Sequence, residues 1–442
     1  MEKQNAQILV LGAGYGGMMA ALRLAGKTKT EATEITLINA VDHFVQRPRL
    51  HQLATDQKVP TKSMVEMLRG TNVRFAKGLV TKIDSTSRTV AVTSDVGMKL
   101  FRYNHLVYAL GSRVDREGVP GVSDYAFTLD PYGPRSAPEL DTVLQGLQGA
   151  KAKVVVVGGG ATGVEGAAEI KGRYPQLRVT LVTNDTFGSF KGSRVERHIR
   201  SAFRSQGIEV LERRGVREVR SDHLQLEDGE IIPADLVLWA GGFRAPNLAR
   251  EAGLAVNERN QILVDPFLRS ISHPEIYAVG DSADPVEDPG VKMRMSIFGA
   301  ITGAAQAADN LVAQIKGKAQ KPLSFVYYGQ AIALGPNDAA GFASFPADEP
   351  LGPIYRGRLA VWLRAFFVWS LFYFLELERK FPGFYFWLGK GRYARLKQAR
   401  AAEGSKADPS AAQMKVFFEH EPSAVPITVT GRQSDVNEEA TK

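Results

Sequence analysis

An apolar, β-branched run that turns through glycines into an alanine-rich stretch occurs twice in this chain, and that repetition constrains its architecture more than any other feature. The first copy is Ile8-Leu9-Val10-Leu11 followed by Gly12-Ala13-Gly14-Tyr15-Gly16-Gly17. The second is Val154-Val155-Val156-Val157 followed by Gly158-Gly159-Gly160-Ala161-Thr162-Gly163. GxGxxG spacing gains weight only where a strand precedes it and a helix follows, and both copies meet that condition. Gly12, Gly14 and Gly17, and again Gly158, Gly160 and Gly163, let backbone approach a pyrophosphate closely, while the helix N-terminus presents N–H donors and a partial positive charge. Two dinucleotide sites in one chain are the expectation.

The segments between and after the glycine turns extend the pattern. Ile35-Thr36-Leu37-Ile38 ends at Asn39, where an acid commonly accepts from ribose hydroxyls; an asparagine there still hydrogen-bonds. Leu106–Leu110 leads into the turn at Gly111-Ser112, a return toward the first nucleotide. In the second unit a helix over Gly163–Arg173 and a strand over Val179–Val182 follow the glycines, and Leu236–Trp239 closes on Ala240-Gly241-Gly242. Ile276–Val279 then meets Gly280-Asp281 ahead of a small-residue helix over Gly299–Lys316. Right-handed βαβ connections make both sheets mainly parallel. The fold class expected is α/β: two Rossmann-like domains, one inserted in the other, plus a C-terminal helical region that associates with a membrane. The boundaries expected are 1–120 with 271–325 for the first domain and 121–270 for the second. A C-terminal region follows over 326–400, and a disordered tail over 401–442.

Composition narrows the chemistry. The chain has no cysteine, which excludes a redox-active dithiol, structural disulfides and thiolate metal sites; no residue is assigned to a metal. The net charge of +8 is concentrated: residues 356–400 hold ten Lys or Arg against Glu376 and Glu378, while the rest of the chain balances. Residues 359–375 read LAVWLRAFFVWSLFYFL, and 359–393 contain 13 of the 39 aromatics. Seventeen residues with an internal arginine are at the short limit for crossing a bilayer. Aromatics beside basic residues suit the headgroup interface, so a monotopic anchor on an anionic membrane surface is favoured over a homodimer interface or a span, and nucleic acid is not a partner. The N-terminus runs almost directly into a strand, which predicts no cleavable signal peptide and a cytoplasmic face.

Together these motifs resemble the two-dinucleotide flavoprotein oxidoreductases and, within them, the type II NADH dehydrogenases. The resemblance implies FAD on the N-terminal unit and NADH or NADPH on the inserted one. Gly12, Gly14 and Gly17 would then take the flavin pyrophosphate and Asn39 the adenosine ribose, with Ala109 and Gly111 alongside. Asp281 would contact the ribityl or phosphate end, against the plainer reading of a helix N-cap. Gly158, Gly160 and Gly163, with Thr183, Ala240, Gly241 and Gly242, would hold NAD(P)H, and Glu165 would lie beside the nicotinamide and the flavin. Relatives that prefer NADH carry an acid where Thr183 stands, so Thr183→Glu is expected to favour NADH. Arg47 or Arg49 would stabilise the anionic reduced flavin and His51 would relay a proton, or all three are structural residues around a proline turn. Quinone-reducing relatives carry paired glutamines where this chain has Phe298 and Thr302, and Gln306 lies one turn later. The activity implied is hydride transfer from NAD(P)H to flavin and electron transfer to a quinone, without proton pumping. The alternatives are a soluble reductase with a protein or oxygen as acceptor, and a slowly reoxidised FAD/NADH redox sensor. Ending the chain before Tyr355 is expected to release it from membranes and leave both nucleotide sites intact.

Overall fold

The structure is a computed structural model that describes residues 6–28, 33–147, 151–188, 192–286, 293–344 and 350–389. The expected tail over 401–442 and the basic residues beyond 389 lie outside the described residues. Two five-stranded parallel sheets organise the chain. The first runs in the order Ile276–Ala278, His105–Tyr108, Ala6–Leu11, Thr33–Asn39, Val73–Lys77. The second runs Glu209–Leu211, Arg178–Val182, Lys153–Val157, Leu236–Trp239, Ala126–Phe127. In each, the strand that precedes a glycine turn is central. Ile8–Leu11 and Val154–Val157 are buried, as continuous apolar strands covered on two faces must be.

The helices that follow, Tyr15–Lys27 and Ala161–Arg173, start at the glycine turns, and the same close packing recurs in both. A Cβ at Gly17 would stand 1.8 Å from the Gly12 carbonyl oxygen, and one at Gly163 would stand 1.9 Å from that of Gly158. Gly12 and Gly158 themselves have φ of +91° and +120°, which a side chain would strain. The turns are therefore built to bring helix start and strand end together before any ligand is considered.

The packing moves one expected boundary. Ala249, Ala252, Leu254, Ile262, Val264 and Leu268 belong to the first core, not the second. The chain therefore leaves the second domain near 245 rather than 270, just after Phe243–Arg244 pairs antiparallel with Arg113–Val114.

The C-terminal region is not all helical. Gly329–Ala333, Ala339–Ala343 and Leu351–Tyr355 form an antiparallel sheet, and the helix Gly357–Lys380 follows it. Ile332, Leu334, Ala340 and Phe342 pack in the second core, whereas Phe325, Tyr327, Leu371, Leu375, Tyr385 and Trp387 pack in the first. The region is a strap across both domains. Its helix has two faces. Ala360, Val368, Leu371, Leu375 and Glu378 are buried, at the i, i+3, i+4 spacing of one helix side. Trp362, Phe366, Trp369 and Tyr373 are exposed on the other, with consecutive ring centroids 5.8, 5.9 and 5.0 Å apart. Among the described residues this is the one helix long and apolar enough to cross a membrane, by length and composition.

The inner face is pinned by charge. Arg23 Nη1 donates to both Glu378 carboxylate oxygens at 3.2 Å and to the Tyr385 carbonyl at 3.0 Å, while its Nε donates to Asp309 at 2.8 Å. Glu378 also accepts from the Gly383 and Tyr385 backbone N–H groups. Arg23 and Glu378 are buried at 3% and 0% exposure, so neither charge has water to fall back on. The segment expected to be a detachable anchor is thus part of the first domain's core.

Candidate active site

A cleft of 1370 Å³ extends from the first glycine turn to the start of the second helix, with the C-terminal helix as one wall. Gly12, Gly14, Asn39, Arg47, His51, Ala109, Gly111 and Asp281 line it from the first domain, Glu165 from the second, and Arg364, Phe367, Val368 and Leu371 from the strap. Gly17 does not; it is spent on the turn's own packing. Neither glycine-turn helix has a side-chain cap or an acid in its first turn, so the N-terminal N–H groups are left for an anion. A Cβ at Gly14 or at Gly160 would meet nothing within 4 Å. The Tyr15 hydroxyl, buried at the cleft wall, has no partner among the described residues, and burial pushes its pKa up. Open space at Gly14, an uncapped helix and an orphaned buried hydroxyl fit a bound dinucleotide.

A hydrogen-bonded network shapes the first-domain side. Arg47 Nη2 donates to the Ser112 carbonyl at 2.8 Å, Ser112 Oγ donates to Asp281 Oδ2 at 2.7 Å, and Ser282 Oγ donates to the Gly111 carbonyl at 3.0 Å. Asp281 is not a helix N-cap: the helix Ile297–Ile315 is capped by Ser296, whose Oγ accepts from Gly299 N. Asn39 braces the glycine turn, since its Oδ1 accepts from Ala13 N at 3.0 Å and its Nδ2 donates to Val41 O at 2.9 Å. Arg49 is not among the lining residues; its Nε donates to Gln52 Oε1 at 2.7 Å.

Around Glu165 the structure gathers three segments. Glu165 Oε1 accepts from Ala333 N at 2.9 Å and from Arg364 Nη2 at 3.1 Å. Arg364 Nη2 also reaches the Pro48 carbonyl at 3.2 Å and His51 Nε2 at 3.5 Å, and His51 Nδ1 lies 3.7 Å from Glu165 Oε2. A donor facing Nε2 and a carboxylate facing Nδ1 assign the imidazole proton to Nδ1. Burial, with Arg364 and Arg49 nearby, outweighs the attraction of Glu165 and lowers the His51 pKa to about 4. The imidazole is therefore neutral at pH 7. Nε2, where a second proton would bind, faces a guanidinium, which favours the structural of the two expected readings of His51.

Sequence reasoning missed Arg364 and Glu169. Arg364 was the only charge in an apolar run of seventeen residues, a signal in itself, yet it counted only against a span. Glu169, one helical turn beyond Glu165, is buried, accepts a hydrogen bond from Gln57, and has its pKa raised by burial. The NAD(P)H-side residues lie mostly outside the cleft. Gly158, Ala240 and Gly242 are half-buried and Gly160 and Gly241 exposed, forming an open shelf. Thr183 is enclosed at 4% exposure, its Oγ1 accepting from Asp185 N at 3.3 Å, and a Cβ at Gly159 would stand 2.6 Å from that oxygen. Thr183 thus packs closely against the glycine turn.

Residues 6–308 match the family described as pyridine nucleotide-disulphide oxidoreductase. The chain belongs to this family. It is 28% identical over 357 residues to the demethylphylloquinone reductase NdbB of Synechocystis sp., covering 77% of this chain and 87% of that one. It is 26% identical over 380 residues to a type II NADH:quinone oxidoreductase of Staphylococcus saprophyticus, covering 77% and 90%. The fold is similar to that of NDH2 from Plasmodium falciparum solved with NADH, at a TM-score of 0.69 and 16% identity over 86% of this chain and 99% of that one. The chain is accordingly an FAD- and pyridine-nucleotide-dependent oxidoreductase. Without cysteine it lacks the disulphide chemistry of the family's title.

The positions where the resemblance expects paired glutamines have other surroundings. Phe298 lines the cleft and packs edge-on against Tyr328 at 4.9 Å. Thr302 is fully buried against the Tyr385 hydroxyl at 2.9 Å. Gln306 is buried away from the cleft, donating to Asn310 and to the Lys321 carbonyl. Gln330, from the strap, lines the cleft instead.

Proposed function

We propose that this oxidoreductase takes a hydride from NAD(P)H and passes two electrons to a quinone, without proton pumping. The carrying observation is that one cleft joins the flavin-type glycine turn to Glu165 and is walled by a helix with an exposed aromatic face. The names of the curated relatives add weight, because a quinone acceptor recurs among them. When bound, FAD supplies the two-electron chemistry that side chains lack. The protein's part is position and environment. Gly14 brings its backbone N–H to the pyrophosphate and Gly12, whose own N–H is held by the Ile38 carbonyl, makes the turn, while Asp281, fixed by Ser112, and Arg47, fixed on the Ser112 carbonyl, hold the flavin's length. Glu165, clamped by Ala333 N and Arg364, orients the nicotinamide. Neutral His51 fills the space behind it. Phe367, Val368 and Leu371 keep water from the acceptor end. Anaerobic assay tests this reading: one quinol formed per NADH or NADPH consumed supports it, whereas turnover that stops without oxygen or a carrier protein refutes it.

The membrane part of the proposal is a helix lying in the surface of an anionic bilayer on the cytoplasmic face. Trp362, Phe366, Trp369 and Tyr373 face outward, and exposed Arg356, Arg358 and Lys380 flank them. A spanning arrangement would have to pull Glu378 from buried Arg23 and Arg364 from Glu165. A second copy of the chain is the other occupant this face would accept.

A further inference from the structure

Two polar groups in the cleft have bonding capacity that nothing above uses. Arg364 is anchored through Nη2 alone; among the described residues its Nε and Nη1 make no hydrogen bond, although its side chain is only 11% exposed. Gln330, on the strand that also carries Ala333, has a buried Oε1 without a partner. Both residues line the cleft, and both come from the strap. A buried amide oxygen without a donor is costly; turning the Gln330 amide puts Nε2 there instead, so that Gln330, like the unengaged N–H groups of Arg364, offers a donor to an acceptor ligand in the cleft. The positions where glutamines would line a quinone slot are taken here by Phe298 and Thr302, the latter already bonded to Tyr385.

We propose that Arg364 and Gln330 form the acceptor's polar subsite, one carbonyl oxygen of a quinone ring accepting from Arg364 and the other accepting from the Gln330 side-chain amide N–H. This deepens the proposed function and rests on it. The overall step balances as NADH plus a proton plus quinone giving NAD+ plus quinol: the hydride carries two electrons and one proton, and water supplies the second proton. The subsite acts by holding the oxygen on which negative charge develops as electrons arrive. Arg364 also touches Glu165, so it joins the acceptor subsite to the residue at the nicotinamide end. The apolar wall of Phe367, Val368 and Leu371 lies on the helix whose far face carries the exposed aromatics. A quinone leaving a bilayer therefore reaches the subsite along that helix.

The test is stopped-flow reoxidation of the NADH-reduced flavoprotein by a short-chain quinone and, separately, by ferricyanide, for the parent, Arg364→Lys, Arg364→Met and Gln330→Leu. Flavin content and thermal midpoint are recorded for each. The half-saturating quinone concentration should rise about tenfold or more in Arg364→Met and Gln330→Leu, the loss of one charged or buried hydrogen bond. Arg364→Lys, which keeps a cation, should recover to within roughly threefold of the parent. Should Arg364→Met lose its flavin, Arg364→Lys and Gln330→Leu carry the test. Unchanged quinone saturation in flavin-loaded variants overturns the subsite, as does an equal loss with ferricyanide, which marks a role in structure alone. A parent that quinone fails to reoxidise refutes the proposed function first, and so separates the two failures.

Discussion

Gly14 and Gly17 are three residues apart and face opposite surroundings. A Cβ at Gly14 points into open space, whereas one at Gly17 runs into the Gly12 carbonyl. Gly14→Val should fold with a stability change within about 1 kcal/mol yet purify nearly colourless, because the branched side chain fills the pyrophosphate space. Gly17→Ala should lose about 3 kcal/mol in urea unfolding, because the helix start must back away from the strand end. Equal flavin content in Gly14→Val and the parent would show that the dinucleotide lies elsewhere. His51 makes a different demand. Its folded pKa, about 4, is below the ordinary 6.5, so the unfolded chain takes up the proton first as pH falls. The stability it contributes is complete above pH 6.5 and is lost toward pH 4, up to about 3 kcal/mol at 1.36 kcal/mol per unit. Urea midpoints for His51→Gln should fall less over that range than those of the parent; parallel curves would mean that the imidazole charges freely in the fold.

The helix Gly357–Lys380 has two jobs on two faces, and they separate by mutation. Glu378→Ala leaves Arg23 with Asp309 and the Tyr385 carbonyl and strips an acceptor from two backbone N–H groups; a loss of about 3 kcal/mol is expected. Phe366→Ser with Trp369→Ser touches only exposed rings, so the melting curve should hold while flotation with anionic liposomes falls. Flotation that persists while a dimer dissociates would assign the face to a second copy. Truncation before Tyr355 is expected to destabilise the first domain rather than merely free it, since Leu371, Leu375, Tyr385 and Trp387 leave its core. The sequence reading missed this because an apolar stripe looks the same whether lipid or protein covers it. What distinguished the faces was Arg364 and Glu378, charges too deep in an apolar helix to be left without partners.

At the scale of the whole molecule, legibility followed sequence distance. The glycine turns, their strands and their helices are local patterns, and the structure has them where the residues predict. Arg364 meets Glu165 across 199 positions and Glu378 meets Arg23 across 355, contacts that leave no local periodicity to read. The return to the first domain near 245 was hidden for a related reason: residues 248–268 are apolar enough for either core. The same long-range contacts bring the first glycine turn, Glu165 and the strap into one cleft, and that convergence is the central claim. Double-mixing stopped-flow under anaerobic conditions tests it most directly: the yellow protein is first mixed with one equivalent of NADH or NADPH, then with a short-chain quinone. The account predicts rapid bleaching followed by full return of colour at a rate that saturates with quinone concentration. Bleached flavin that quinone leaves reduced, while a protein carrier or oxygen reoxidises it, would contradict the account.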